Sequence, residues 1–223
     1  MPPSTPEPGR GWRPGGYPDL LAGQHLPPLP QQERSRRKRD ALLQSALALF
    51  AERGYEQTSI EHIAHHAEVA VGGFYQHFAS KRQILLVLMD QLLQEASTLT
   101  WEAKSAALPD IRDGIARLIR QALQVDWAYA GAYRAWREAA VRDRELRTLH
   151  EQIEAWTTQQ LTLLFRVLLL VPEARQDVDS ETLAWELALL LLRLAELPLE
   201  EPDAVVASLT NLIYHGLFTD SSA

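Results

Sequence analysis

The feature that most restricts the fold of this chain is the spacing of its apolar residues. From Arg36 onward they recur every three or four positions, as on one face of an α-helix, and no stretch alternates with period two for long enough to form a strand. The first of these sets comprises Leu42, Leu43, Ala46, Leu49 and Phe50. The spacing predicts an all-α chain of about nine helices.

Capping and breaking residues predict where the helices begin and end. Gly54 ends the first helix, and Thr58 with Glu61 has the spacing of a capping box at the start of the second. The Ser80 hydroxyl can cap a long helix over residues 80–100. Prolines and loop residues then separate five further helices, which we expect at residues 110–125, 127–140, 145–170, 180–197 and 203–218.

The N-terminal segment differs in composition from the rest of the chain. Residues 1–30 contain nine of the 13 prolines and five of the 11 glycines, and they show no apolar period. A segment of this kind buries too little apolar surface to offset the entropy that ordering costs. We therefore predict a disordered tail over residues 1–33.

Composition and charge restrict where the protein works and what it binds. The chain has no cysteine and no signal-peptide pattern, and its apolar runs are interrupted well short of the roughly 20 residues of a membrane span. These features predict a soluble, cytoplasmic protein. The net charge is −7, but residues 31–82 carry eight basic and six acidic side chains, whereas residues 83–223 carry 12 and 21. A polyanion would bind the first region and be repelled by the second.

Two adjacent glycines lie inside a helical pattern in the segment VAVGGFYQHFASKRQIL, residues 69–85. Each costs a helix about 0.5–1 kcal/mol relative to alanine. With the helix before it, the segment has the proportions of a helix-turn-helix, whose second helix lies in the major groove of DNA. Gly72 and Gly73 fall at the groove-facing end of that helix, where a Cβ atom would hold the backbone away from the bases. The pattern predicts a DNA-binding domain over residues 34–82.

The same region resembles the DNA-binding domain of the TetR family of bacterial transcriptional regulators. The resemblance rests on the spacing of several short pieces within residues 38–93, since any one of them alone would be weak. These pieces are FAERGY at residues 50–55, Thr58, Ile63 with Ala64, Val69, GGFYQHF at residues 72–78, Ser80 with Lys81, and Leu85. The resemblance implies that a larger helical domain for ligand binding and dimerisation follows, over residues 83–223.

The resemblance also implies which residues of the second helix face bases. They are Val71, Gly72 and Gly73. The helix contains no Arg, Lys or Asn, so Gln76 alone could make a bidentate contact, to adenine. We expect readout through Val71, through Gln76 and through the shape of the DNA.

Other residues are expected at the sugar-phosphate backbone. By resemblance, Thr58 would cap the second helix and touch phosphate, and Lys81 would clamp a phosphate. The remaining expected contacts are Tyr75, His77 and, in the basic arm, Arg36, Arg37 and Lys38. A solvated basic run is the alternative for the arm. Contact with phosphate would make affinity fall steeply with salt.

Two positions depart from the pattern of the family. The family usually has Gly where this chain has Glu68, and Ser or Thr where it has Ala70. Glu68 would adopt a strained backbone or a different turn. Ala70 cannot cap the reading helix, which is a loss of about 1 kcal/mol.

No pattern predicts catalysis or a cofactor. His62 and His66 are one helical turn apart, but a third ligand is missing from their neighbourhood, so we favour exposed helix residues over a zinc site. The sequence has no Ser/His/Asp order, phosphate loop or dinucleotide fingerprint. We expect neither enzyme activity nor a metal.

Every tryptophan outside the N-terminal tail falls within residues 101–185. Aromatic residues at helical spacing usually form plain core, but on successive helices they can also line an apolar pocket. By resemblance, a small inducer binds among these helices. The expected ligand-binding residues are Trp101, Trp127, Tyr133, Trp136, Trp156 and, as a partner for an anionic group, Arg137.

The last two predicted helices, within residues 180–218, carry apolar stripes too broad for surface helices. Two such helices from each of two subunits would close a four-helix bundle, and a homodimer has the two-fold symmetry of palindromic DNA. The alternative is that both stripes are buried within one chain.

We therefore expect a homodimeric repressor that binds a palindromic operator in double-stranded DNA and is released by a small hydrophobic or aromatic inducer. Two alternatives remain open. One is a DNA-binding regulator without a small-molecule ligand. The other is a helical ligand-binding protein or enzyme with a degenerate DNA-binding motif, which Glu68 and Ala70 would favour.

Overall fold

The computed structural model describes residues 13, 16–99, 108–194 and 202–219. Nine α-helices lie in these residues, and β structure there is limited to isolated bridges such as that of Ala174 with Phe218. The helices are α1 Glu33–Arg53, α2 Ile60–His66, α3 Val71–Tyr75, α4 Lys81–Ala96, α5 Leu108–Ala128, α6 Ala130–Ala140, α7 Arg144–Leu168, α8 Ser180–Leu194 and α9 Pro202–Leu217. The prediction of an all-α chain is confirmed.

The chain divides into two compact units. The N-terminal unit consists of the described residues of Arg10–Gln94 together with Ala128–Glu151, and so it holds α1–α3, most of α4, α6 and the first turns of α7. The C-terminal unit consists of the described residues of Glu95–Trp127 and of Gln152–Ala223, which include most of α5 and α7 and all of α8 and α9.

The N-terminal unit is built around α1 and α4. Helix α1 buries one apolar face, from Leu42 to Phe50, while α4 is buried almost all the way round. Helix α6 packs so closely on α1 that a Cβ atom on Gly131 would overlap the carbonyl oxygen of Leu47. The two helices can approach this far only where the side chain is a hydrogen.

Part of the segment that we predicted to be disordered is packed against α4 instead. Tyr17 and Leu20 are buried. The guanidinium of Arg13 lies 3.0 Å from Asp19 and 3.3 Å from Asp90 on α4, and the Gln83 side chain donates to the carbonyl oxygen of His25 at 3.1 Å. The prediction of a disordered tail is therefore corrected for residues 17–25, because the apolar side chains among the prolines find a surface to cover. Residues 1–12, 14 and 15 lie outside the described residues.

The C-terminal unit has one apolar core, formed by α5, α7, α8 and α9. Its buried members include Ile115, Phe165, Leu187 and Ile213. Polar contacts close its edge, where Arg112 on α5 bonds the Asn211 side chain and lies 5.5 Å from the ring centroid of Tyr214. In the part of the chain that the structure describes, no helix combines the length and the apolar character that crossing a membrane requires.

Candidate nucleic-acid interface

Helix α3 exposes one side to solvent and buries the other side in the protein. Val71 is 39% exposed and Tyr75 is 53% exposed, and Gly72 and Gln76 are exposed with them. Phe74 and Phe78 are fully buried and their rings lie 5.8 Å apart. The buried pair holds the short helix in place, so that the residues expected at the bases lie on an open surface.

The two glycines of α3 have different surroundings. A Cβ atom on Gly72 would meet nothing within 4 Å, whereas one on Gly73 would lie 2.7 Å from Cγ1 of Val69. The packing of the chain itself therefore explains the glycine at position 73. Nothing among the described residues lies close enough to require the glycine at position 72.

The turn between α2 and α3 adopts the strained backbone, the first of the two forms expected for Glu68. Glu68 has φ of 54°, in the left-handed region that favours glycine. Its N–H donates to the carbonyl oxygen of His65 at 3.1 Å, and that of Val69 donates to Ala64 at 2.9 Å. Ala70 is the residue before α3 and makes no side-chain capping bond. Both departures from the family pattern are thus real features of the turn.

Thr58 does not cap α2. Its side chain is 1% exposed, and its Oγ1 atom donates to the carbonyl oxygen of Gly54 at 2.7 Å, with Leu49 a second acceptor at 3.3 Å. The cap is Ser59, which forms a capping box with His62. The prediction for Thr58 was wrong because the carbonyls at the end of α1 need donors, and a buried hydroxyl beside them supplies one.

His77 is also buried, with 6% of its surface exposed. Burial lowers the pKa of its imidazole, and the nearby charges of Arg39 and Lys38 lower it further. The Nε2 atom has no hydrogen-bond partner in the described structure. The buried ring leaves little surface for the expected contact of His77 with phosphate or sugar.

Lys81 is engaged within the protein. Its Nζ atom donates to the carbonyl oxygen of Tyr55 at 2.6 Å and lies 4.1 Å from the centroid of the Tyr55 ring. Burial lowers the pKa of Lys81, while Glu56 and Glu138 act in the opposite direction. Clamping of a phosphate by this ammonium group would require it to leave Tyr55.

The basic arm forms the first turns of α1. Arg37 lies 3.0 Å and Arg36 3.7 Å from the carboxylate of Glu33, and both arginines are well exposed. An open groove of about 470 Å³ runs between this turn of the helix and the α2–α3 turn. Its lining residues are Glu33, Arg34, Arg37, Lys38, Ala41, Ala67, Glu68 and Val69. The groove thus brings three basic side chains to the base of the reading helix.

The histidines of α2 have local partners. His62 Nδ1 accepts from the Ser59 N–H at 3.4 Å, and His66 Nδ1 lies 3.0 Å from the Ser45 hydroxyl. His65 is exposed. No group of three or more His, Asp or Glu side chains with the geometry of a metal site occurs within the described ranges.

The aromatic residues expected at a ligand site are divided between the two units. Tyr133 and Trp136 are buried in the N-terminal unit, where Arg137 is exposed. Trp127 packs on the core of the C-terminal unit, and Trp156 is buried there. Trp101 lies outside the described residues. That these side chains line one pocket stays a prediction.

A small cavity lies within the C-terminal unit. It has a volume of about 60 Å³ and is lined by apolar side chains alone. Those side chains are Ile115, Leu118, Ile119, Ala122, Leu161, Leu164, Phe165, Leu168, Leu187, Leu191 and Ile213. Since sites for drug-sized ligands have volumes of about 300–1,000 Å³, a ligand would have to widen this one. None of the predicted aromatic residues lines it.

The helix-turn-helix with its glycine-bearing reading helix matches a known family. The family model described as "Bacterial regulatory proteins, tetR family" matches residues 42–88, from α1 to the middle of α4. Residues 42–88 thus form a DNA-binding domain of the TetR type. The regulator TcmR of Streptomyces glaucescens is 46% identical over 56 residues, which make up 25% of this chain and 25% of TcmR. The matches to TcmR and two further relatives span 25% to 42% of the length of those proteins.

Solved structures of the TetR family share the fold over most of the chain. The fatty acid degradation regulator FadR from Bacillus halodurans superposes with a TM-score of 0.63 at 18% identity, over 80% of this chain and 95% of that one. NalD of Pseudomonas aeruginosa, the secondary repressor of the MexAB-OprM multidrug efflux pump, superposes with a TM-score of 0.58 at 26% identity, over 85% and 100%. Sequence similarity is thus concentrated in the helix-turn-helix, while the fold similarity extends beyond it.

One residue beside the TetR-type motif was not found by sequence reasoning. Glu138 on α6 accepts hydrogen bonds from the N–H groups of Tyr55 and Glu56, at 2.6 and 3.1 Å. Its partners lie 83 and 82 positions earlier in the chain. No local pattern marks such a carboxylate, because its position in the helical repeat of α6 does not distinguish it from other polar residues of the helix.

Proposed function

We propose that the protein is a homodimeric transcriptional repressor that binds a palindromic operator through α3 and the start of α1. The observation that carries the proposal is the open edge of α3, where Val71, Gly72, Tyr75 and Gln76 face solvent and Gly72 has no internal reason to be glycine. A backbone without a side chain at that point can come close to the floor of the major groove.

Phosphate contacts in this proposal come from the exposed basic side chains of α1. We assign the exposed Arg36 and Arg37 and the half-buried Lys38, and Tyr75 on α3 adds a fourth contact. Because Glu33 pairs with Arg36 and Arg37 in the free protein, DNA has to displace that carboxylate. We expect Thr58 and His77 to support the motif from inside and not to touch DNA.

Dimerisation in this proposal uses α8 and α9. Leu189 and Leu190 on α8 and Leu212 on α9 are exposed to 41%, 37% and 57% of their surface. Large apolar side chains exposed on the outside of a unit are suited to being covered by a second copy. The two copies would bring two α3 helices to successive major grooves, about 34 Å apart.

A small-molecule inducer is the second part of the proposal. Trp127 and Trp156, both in the C-terminal unit, each have a buried indole N–H with no hydrogen-bond partner in the described structure. A buried donor that makes no hydrogen bond costs about 1–3 kcal/mol of folding free energy. A ligand with acceptor oxygens would remove that cost. We propose a largely apolar or aromatic ligand that carries such acceptors. The protein would act in the cytoplasm, where the DNA is.

The test is the selection of bound fragments from random double-stranded DNA by the full-length protein. We expect a palindrome with half-sites about one helical turn apart, or a multiple of that spacing. Tyr75→Ala should weaken binding to the selected DNA, and Val141→Ala, at an exposed site away from α3, should not. If no sequence is enriched even at low salt, the protein is not an operator-binding repressor.

A regulator without a small-molecule ligand is a second candidate, which the size of the cavity favours. The cavity between α5, α7, α8 and α9 has a volume of about 60 Å³. Screening of metabolite extracts against the operator complex distinguishes the two. Release of the DNA by a purified apolar compound supports the inducible repressor, and operator binding that no extract changes supports the second candidate.

A further inference from the structure

Both ends of the Tyr55 backbone are held by side chains from other helices. Its N–H donates to Oε2 of Glu138 on α6 at 2.6 Å, and its carbonyl oxygen accepts from Nζ of Lys81 on α4 at 2.6 Å. The N–H of Glu56 donates to Oε1 of Glu138 at 3.1 Å. One carboxylate on α6 therefore binds two consecutive N–H groups in the loop between α1 and α2.

The loop is shaped around this carboxylate. Gly54 precedes Tyr55 with φ of 80°, and a Cβ atom there would lie 2.7 Å from Oε2 of Glu138. Hydrogen bonds from N–H groups to an ionised acceptor are roughly twice as strong as neutral ones. Glycine at position 54 thus serves both the left-handed turn and the approach of Glu138.

Further contacts prevent α6 from sliding along α1. Gly131 sits directly on the backbone at Leu47, and Arg134 donates to the carbonyl oxygen of Ala51 at 3.2 Å. Just beyond the end of α6, Arg142 forms an ion pair of 2.9 Å with Glu56. A displacement of α6 would therefore carry the end of α1 and the loop with it.

The loop leads directly into the helices of the DNA-binding motif. Thr58, at the end of the loop, is bonded back to Gly54 through its hydroxyl group, and Ser59 then caps α2. Helix α2 packs against α3, where the Val69 side chain fills the space beside Gly73. A continuous series of contacts thus links Glu138 to the backbone of α3.

We propose that Glu138 is a positioning residue for DNA binding, through which α6 sets the orientation of α3. The inference rests on the proposed DNA-binding function, since the orientation of α3 matters through the operator. Glu138 itself touches no DNA in this proposal. It acts by fixing the loop at Tyr55 and Glu56, so a movement of α6 alters the angle at which α3 is presented.

The first test measures amide exchange rates and resonance positions in the free, full-length protein by backbone-amide NMR. We compare Glu138→Ala and Glu138→Gln with Glu151→Ala, which removes the same charge from an exposed position on α7. In Glu138→Ala, the amides of Tyr55 and Glu56 should exchange with solvent at least about tenfold faster, and the resonances of Gly72 and Gly73 should shift. Glu138→Gln keeps one carbonyl acceptor, so its exchange rates and resonance shifts should lie between those of the wild type and Glu138→Ala. Glu151→Ala should match the wild type.

The second test measures affinity for the selected DNA, at a temperature where every variant is fully folded. Glu138→Ala should bind about tenfold more weakly, within the range of coupling between distant sites, and Glu138→Gln should recover part of the loss. The dependence of affinity on salt should stay that of the wild type, because no phosphate contact is removed. A residue that only stabilised the fold would leave the affinity of the folded protein unchanged.

The outcomes separate this inference from the proposed function. Unchanged resonances of Gly72 and Gly73 in Glu138→Ala, or unchanged DNA affinity, would overturn the positioning role while leaving the repressor intact. If the wild type bound no DNA, the repressor would fail, and the Gly72 and Gly73 resonances would still decide whether α6 positions α3. Should Glu138→Ala not fold, the same criteria apply to Glu138→Gln.

Discussion

Cγ1 of Val69 lies 2.7 Å from the place that a Cβ atom on Gly73 would take. Val69 is buried and branched at its β-carbon, so the methyl group cannot swing away without disturbing its neighbours. Position 73 therefore has to be glycine for reasons inside the fold, even though it lies in the helix expected at the bases. Gly72, one residue earlier, has open space instead.

Alanine at these two positions should have opposite effects on stability. Gly72→Ala should raise the free energy of unfolding by about 0.5–1 kcal/mol, because alanine favours the helix, and it should weaken operator binding. Gly73→Ala should lower the free energy of unfolding by about 1–3 kcal/mol through overpacking, and adding Val69→Ala should restore part of the loss. Urea unfolding and fluorescence anisotropy with labelled operator measure both. Equal stability of the two single variants would contradict the assignment.

Replacement of Lys81 should cost stability and leave the salt dependence of DNA binding unchanged. In Lys81→Met the carbonyl oxygen of Tyr55 loses its partly buried ammonium donor, which should lower the free energy of unfolding by about 1–2 kcal/mol. The matched variant is Lys38→Met, on the basic turn of α1. It should reduce the slope of log affinity against log salt by about 1 with little change in stability. A reduced slope in Lys81→Met would show that Lys81 leaves Tyr55 and binds phosphate.

Glycine at position 68 should stabilise the helix-turn-helix. The left-handed backbone of Glu68 costs roughly 1–2 kcal/mol, and glycine removes this strain at a cost of about 0.5–1 kcal/mol in chain entropy. Glu68→Gly should therefore raise the free energy of unfolding by roughly 0.5–1 kcal/mol. It should also tighten operator binding at low salt, since a carboxylate leaves the basic groove. Glu68→Gln keeps the strained backbone and loses the charge. It should therefore change operator affinity and leave the free energy of unfolding unchanged.

Stability should decrease as pH rises toward neutrality because of Asp126, near the end of α5. Burial raises the pKa of its carboxyl group from 3.8 to about 7. Between about pH 4 and 7 the folded protein then holds a proton that the unfolded chain has released, so this contribution is complete below pH 4 and is lost by about pH 7. Asp126→Asn should be the more stable protein at pH 8. Urea unfolding from pH 5 to 8 tests this, and parallel pH profiles of the two proteins would exclude it.

A charge on the exposed face of α9 should separate the subunits. Leu212 is 57% exposed, and Leu189 and Leu190 of α8 are exposed as well. Leu212→Asp should give a folded monomer in analytical ultracentrifugation, because burying an unpaired carboxylate in an apolar interface is strongly unfavourable. Val141→Asp, at a residue 72% exposed in the N-terminal unit, should leave the dimer intact. A dimer that survives Leu212→Asp would place its interface elsewhere.

The sequence by itself determined the helical class of the chain, the helix-turn-helix and the side chains that α3 exposes. These properties follow from local information: the apolar period predicts each helix, Gly54 ends α1, the Ser80 hydroxyl caps α4 by accepting from Gln83, and Phe74 and Phe78 fix the buried side of α3. The strain at Glu68 and the missing cap at Ala70 were predictable for the same reason. Each depends on neighbours within a few residues.

The tertiary structure alone decided which polar side chains of the motif are buried or hydrogen-bonded within the protein. Thr58, His77 and Lys81 stand at the expected positions in the motif, yet the first two are buried and the third is bonded to Tyr55. The packing of residues 17–25 on α4 and the hydrogen bonds of Glu138 at Tyr55 likewise join parts of the chain that are far apart in sequence. A hydrogen bond between such residues depends on the path of the whole backbone, which no local spacing records.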